Sequence, residues 1–235
     1  SMTAGAYSAD KPFLASMGIY VFNYNKLVDL LKTDSSWVDF GREIIPAAID
    51  KYNVQAHLFK DYWEDIGTIK AFYEANLDLA SPLPKFNFFN AESPIYTRSR
   101  YLPPSKMQGC DIDNSMVSEG CILNGVKARR SIIGLRCRID HGTTIEDSII
   151  MGADFLESIE EMREKMSAGK PPIGIGRNTV IKRAIIDKNV RIGNNVRLVN
   201  KDGIEHLDHE SKMYYIREGI IIVPKNATIP DGTEI

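Results

Sequence analysis

The chain has 235 residues, 43% of them hydrophobic and 26% charged, a balance that suits one large or two ordinary globular domains. Lys plus Arg number 29 against 31 Asp plus Glu, so the net charge of −2 argues against the basic face of a general nucleic-acid binder, and no nucleic-acid partner is expected. No apolar run approaches the roughly 18 residues that cross a bilayer, and the polar start SMTAGAYSADKP lacks the order of a secretory leader, so no membrane partner is expected either.

Residues 13–22, FLASMGIYVF, form a short apolar run rich in β-branched and aromatic residues, which predicts a buried strand. In 25–33, Leu27, Leu30 and Leu31 recur at helical spacing. Residues 39–52 read as a helix capped by Asp39 and interrupted at Pro46. VQAHLF, 54–59, alternates as a strand would, and 67–82 read as a helix that starts after Thr68 and stops before Pro82. Strands alternating with helices predict an α/β domain over 1–80, short enough to be part of a larger one. Residues 81–106 are rich in Pro, Ser and aromatics and read as an ordered linker packed across a neighbour.

After 106 the rhythm changes. Ile133, Ile139, Ile145 and Met151 are six apart, as are Ile186, Ile192, Leu198 and Ile204, and Val223, Ile229 and Ile235. A period of six fits neither a helix nor a simple strand. It fits a hexapeptide β-helix over 107–235, in which each aliphatic points into a triangular prism while Gly, Asn and Asp turn its corners. Its first repeats, 116–127, are ragged. Residues 153–170 break the period with Leu156, Ile159, Met162 and Met166 at helical spacing, a helical insert leaving one corner. Cys110, Cys121 and Cys137 show no CxxC spacing and are read as free thiols or small hydrophobes, and His206 with His209 as a surface pair.

The stretch YWEDIGT, with ASMGIYVF and DFGREIIP, resembles the sugar-1-phosphate nucleotidyltransferases. YLPPSKM, IEDSIIMGAD, PPIGIG, IIDKNVRIG and IREGIIIVPKNATI narrow the resemblance to the ADP-glucose pyrophosphorylase family, on the plant small-subunit and cyanobacterial side. The resemblance runs from Lys11 onward. It implies part of a Rossmann-like nucleotidyltransferase domain followed by a left-handed β-helix. It also implies synthesis of ADP-glucose and pyrophosphate from ATP and glucose 1-phosphate, for glycogen or starch.

That reaction joins two anionic phosphates, so charge must be neutralised, and the resemblance implies Mg²⁺ held by Asp65. It places Trp63 against the sugar and assigns glucose 1-phosphate binding to Ser16, Tyr20, Asp39 and Phe40. It further implies activation by 3-phosphoglycerate and inhibition by phosphate, with the effector held by Arg98, Arg100, Asp187, Lys188 and Lys225. Cationic side chains suit phosphate through charge-assisted hydrogen bonds. A homo- or hetero-tetramer and a bacterial cytoplasmic or plastid-stromal location follow from the same resemblance. The sequence contains neither the family's GGxGTRLxPL loop nor its Glu-Lys phosphate motif, so this chain by itself is expected not to catalyse. Two other readings compete. One is a hexapeptide-repeat acyltransferase using His141, which leaves YWEDIGT without a role; the other is a non-catalytic regulatory module.

Overall fold

The computed structural model describes residues 15–235, and the chain falls into two compact units, Ser1–Asp61 and Tyr62–Ile235. Lys11 and the first two residues of the expected strand, Phe13 and Leu14, lie outside the described residues.

In the first unit, α1 (Tyr24–Leu31) starts where the Asn23 side chain accepts the Lys26 N–H. A π-helical turn, Phe40–Ile44, follows Asp39, whose carboxylate accepts the Arg42 N–H at 2.8 Å. Glu43 returns the contact by accepting the Asp39 N–H at 2.9 Å, so two orphan donors are satisfied reciprocally. In α2 (Ile45–Lys51), Pro46 sits in the first turn, where its missing N–H leaves no bond unmade. Leu30, Ile44 and Ala48 form the small core, flanked by Phe22, Trp37 and Tyr52. The strands expected over 13–22 and 54–59 do not form: 15–22 and 54–59 join no sheet. A strand needs a neighbour to take its N–H and C=O groups, and among the described residues of this unit there is no ladder to supply one.

The second unit is built on a three-faced coil. Among the described residues, one face stacks Lys106–Gln108, Ile122–Asn124, Arg138–Ile139, Gly174–Ile175, Arg191–Ile192 and Thr228–Ile229. The second stacks Asp111–Asp113, Lys127–Arg129, Thr144–Glu146, Val180–Lys182 and Arg197–Leu198. The third carries Met116–Val117, Ile132–Ile133, Ile149–Ile150, Ala184–Ile186 and Ile220–Val223. Coil stacks on coil in parallel register, so Ile139 lies between Leu123 and Ile175, and Ile181 between Ile145 and Leu198. Ile133, Ile139, Ile145, Ile181, Ile192, Leu198 and Ile229 are all at most 1% exposed, which is the prism interior that the six-residue rhythm predicts.

The rhythm is not uniform. From the second face to the third, the inward positions run Ala128 to Ile133, Ile145 to Ile150 and Ile181 to Ile186, steps of five rather than six. Ile150 therefore faces inward where Met151 was expected, and Met151 turns outward. That tight corner is turned at positive φ by Asn114, Arg130, Asp147 and Arg183. It leaves room inside only for the stacked small residues Ser115, Ser131, Ser148 and Ala184. Each serine hydroxyl from 115 to 148 accepts the backbone N–H of the next residue in that column. The raggedness of 116–127 comes from a further step of five, Leu123 to Ala128, at the corner between the first and second faces.

Two segments leave the coil. α4 (Ile159–Ser167) begins with a reciprocal cap between Ser158 and Glu161. The base of its insert is closed by an ion pair of Arg191 with Glu157, and Glu157 also accepts the Ile173 N–H at 2.6 Å. After Asn200 the chain forms an antiparallel hairpin, His206–Asp208 with Tyr215–Arg217, before returning at Ile220. Ile204 thus packs on the core from the start of the hairpin and not from a coil.

The outer side of the third face is apolar as well, and α3 (Ile69–Asp78), capped by Thr68, covers it. Tyr73 and Leu77 bury themselves against Ile149, Ile185 and Ile220, and the Tyr73 hydroxyl donates to the Asp147 carbonyl at 2.6 Å. No described helix is long and apolar enough to cross a membrane.

Candidate functional site

Four of the residues that the resemblance assigns to glucose 1-phosphate lie in the first unit, and they cluster. The Ser16 hydroxyl is 3.0 Å from the Tyr20 hydroxyl and also accepts the Gly18 N–H at 3.2 Å. Tyr20 and Phe40 are nearly parallel, 15° apart with centroids at 6.0 Å, and Phe22 packs edge-on against Phe40. Asp39 precedes Phe40 and spends one carboxylate oxygen on the Arg42 cap. Hydroxyls and a carboxylate beside a half-exposed aromatic pair can hydrogen-bond and stack on a sugar ring. The π-helical turn has a direct consequence here, because it fixes Asp39 and Phe40 at one helix start.

Trp63 and Asp65 belong to the second unit. Trp63 is 41% exposed, and Asp65 accepts the Gly67 N–H on one carboxylate oxygen at 2.9 Å. That turn leads directly into the Thr68 cap of α3, so the short YWEDIGT run serves as a helix entrance with one carboxylate oxygen outside the turn. Among the described residues, no group of three His, Cys, Asp or Glu side chains forms a metal cage. Asp65 fits Mg²⁺ only in the manner typical of that ion, with one carboxylate from the protein and the remaining oxygens from phosphates and water.

Of the five effector residues, the coil brings three together. Ile186 pairs in register with Val223, so Lys188 and Lys225 occupy equivalent positions at one corner of successive coils. The Asn226 N–H donates to the Lys188 carbonyl at 3.0 Å, which fixes that stacking. Asp187 accepts the Lys188 N–H at 2.6 Å. Arg98 and Arg100 are exposed in the 81–106 segment, and Arg100 donates to the Arg98 carbonyl at 3.1 Å rather than to a carboxylate.

Sequence reasoning missed Asp154, the residue that joins the two lysines. Its carboxylate lies 3.0 Å from the Lys188 ammonium and 2.6 Å from that of Lys225. Asn189, only 7% exposed, holds Asp154 in place: its carbonyl accepts the Asp154 N–H at 2.8 Å and its amide donates to the carboxylate at 3.1 Å. The hydrogen bonds from Lys225 and then Lys188 hold the Asp154 carboxyl far below the usual carboxylate range, and Asp154 in turn raises Lys225. Asp154 stands in the quoted run IEDSIIMGAD, but nothing in its spacing predicts a meeting with residues 188 and 225.

His141, the candidate acyl-transfer base, sits at an exposed corner with its ring over Gly125, where an added Cβ would meet Nδ1 at 2.1 Å. There it fills the space that the glycine leaves. Cys110, Cys121 and Cys137 are free thiols.

Residues 100–234 match the family described as GLGC left-handed parallel beta-helix domain, more than half of the chain. Residues 8–81 match the family described as nucleotidyl transferase. The two matches meet the parallel three-sheet coil and the part of the chain that precedes it.

Proposed function

The chain belongs to the ADP-glucose pyrophosphorylase family, and we propose that it serves a glucose-1-phosphate adenylyltransferase by carrying part of the sugar-phosphate site together with the regulatory coil. The observation that carries this reading is the order of matches in one chain, a nucleotidyl transferase segment at 8–81 followed by the β-helix at 100–234.

In the reaction proposed, a phosphate oxygen of glucose 1-phosphate attacks the α-phosphorus of ATP, and pyrophosphate leaves. Tyr20 and Phe40 offer an aromatic face to the glucose ring, with Ser16 and Asp39 as hydrogen-bonding groups beside it. Trp63, in the second unit, is a further residue proposed for sugar binding. Asp65 contributes a carboxylate to Mg²⁺, which when bound offsets the charge of the phosphates. The Lys188–Lys225 corner is the proposed effector site for phosphate or 3-phosphoglycerate, with Arg98 and Arg100 as further cations, in a homo- or hetero-tetramer.

The chain's 235 residues contain no Gly-rich triphosphate loop. Incubated with ATP, glucose 1-phosphate and Mg²⁺, the purified chain is expected to make no ADP-glucose, and measured turnover would refute that assignment. Ligand-observed NMR should show glucose 1-phosphate binding that is lost in Tyr20→Ala and Trp63→Ala. Failure of the unsubstituted chain to bind it would remove the sugar-phosphate part of the reading.

A further inference from the structure

We propose that Asp154 is a built-in competitor of the anionic effector: its carboxylate occupies the position between Lys188 and Lys225 that a phosphate group takes when it binds. This rests on the reading of that corner as the effector site.

Stacked equivalent positions in a parallel coil lie about 4.8 Å apart, so Lys188 and Lys225 place like charges close together. Two such ammonium groups need an anion between them. In the free chain that anion is Asp154, at 3.0 and 2.6 Å. The corner also contains the Asp187 carboxylate, so the charges of the two lysines are already matched by two aspartates. A phosphate ester therefore binds well only by replacing one carboxylate. Asp187 is tied to the Lys188 backbone N–H, whereas Asp154 reaches the lysines from the first residues of the insert, with its side chain 37% exposed. Asp154 is thus the group to be displaced.

The Asp154 position is held and not accidental. Asn189 is 7% exposed and binds both the backbone and the carboxylate of Asp154. Arg136, one coil earlier, donates to the Ala153 carbonyl at 3.2 Å. Three residues on from Asp154, Glu157 closes the base of the insert through Arg191 and the Ile173 N–H. Displacing Asp154 frees a segment at the root of α4.

The test is calorimetric titration of the 235-residue chain with inorganic phosphate and, separately, 3-phosphoglycerate. Asp154→Asn and Asp154→Ser remove the charge at an exposed position. Each is expected to tighten phosphate binding about tenfold, while Asp154→Glu, which keeps the charge, stays near the unsubstituted value. Lys188→Gln and Lys225→Gln are expected to abolish binding and to cancel the gain when combined with Asp154→Asn. Binding that is unchanged or weaker in both neutral variants, with the lysine variants still defective, overturns the competitor and leaves the effector site standing. Absence of phosphate and 3-phosphoglycerate binding from both the unsubstituted chain and the neutral variants overturns both.

Discussion

Tyr73 shows how much one side chain can join. Its ring is buried between α3 and the coil, its hydroxyl donates to the Asp147 carbonyl, and the Arg183 guanidinium lies 5.7 Å from the ring centre. Tyr73→Phe keeps the packing and loses one hydrogen bond, leaving a carbonyl without that donor. The expected loss is about 1 kcal/mol, read from denaturant unfolding. Burial, and then the Asp147 charge, raise the Tyr73 pKa above the ordinary phenol value. The folded state therefore holds the phenol proton more tightly than the unfolded chain. This contribution to stability is complete below about pH 10 and is lost as pH rises towards the folded pKa. The phenylalanine variant should lose stability less steeply than the unsubstituted chain over that alkaline window, and parallel curves for the two would contradict the assignment. Asp154 behaves in the opposite sense. Its lowered pKa favours the folded state above the ordinary carboxylate range, and that advantage fades as pH falls through it. Because the group is exposed, the effect should shrink in high salt.

The coil corners are decided by more than glycine. Asn178 takes φ 53° at the turn between the first and second faces, where Asn195 and Gly232 recur on the next coils. Asn178→Gly should change stability little, whereas Asn178→Val should lose more than about 1 kcal/mol, because a β-branched residue resists the left-handed region. The tight corner is controlled differently. Ser148 is 0% exposed, accepts the Ala184 N–H at 3.1 Å and donates to the Glu146 carbonyl at 2.7 Å. Ser148→Ala leaves a buried N–H without an acceptor, an expected loss of about 1–3 kcal/mol by thermal or chemical melting. The helices were readable because their caps are local: Asp39, Thr68 and Ser158 all accept from a backbone N–H three residues on. The apolar run over 15–22 and the alternation over 54–59 misled because such patterns show which residues are apolar, not whether a partner strand exists.

At the scale of the whole chain, each compact unit has a core of its own. Leu30, Ile44 and Ala48 serve the first, and the coil interior with the α3 face serves the second. A chain comprising 62–235 should therefore keep the melting transition of the coil seen in the full chain, and loss of that transition would show that the coil core depends on residues before 62. Within the coil, Ile181→Ala removes a side chain with 0% exposure flanked by Ile145 and Leu198, with an expected loss of about 2–5 kcal/mol. The family matches at 8–81 and 100–234 leave the aromatic-rich segment between them outside both, and there Phe89 and Tyr96 remain exposed.

The sequence by itself determined the prism, because aliphatics recurring at a spacing near six are a local, repeated instruction that each coil follows against its neighbours. It also marked the helix entrances and the motifs that place the chain in its family. Only the tertiary structure decided the five-residue corner that points Ile150 inward in place of Met151, and the serine column that corner requires. It alone decided that Asp154 meets Lys188 and Lys225, residues 34 and 71 positions further along the chain. The physical reason is the insert: the chain leaves the coil just after Asp154 and returns one coil later, so proximity there depends on stacking and not on separation along the chain.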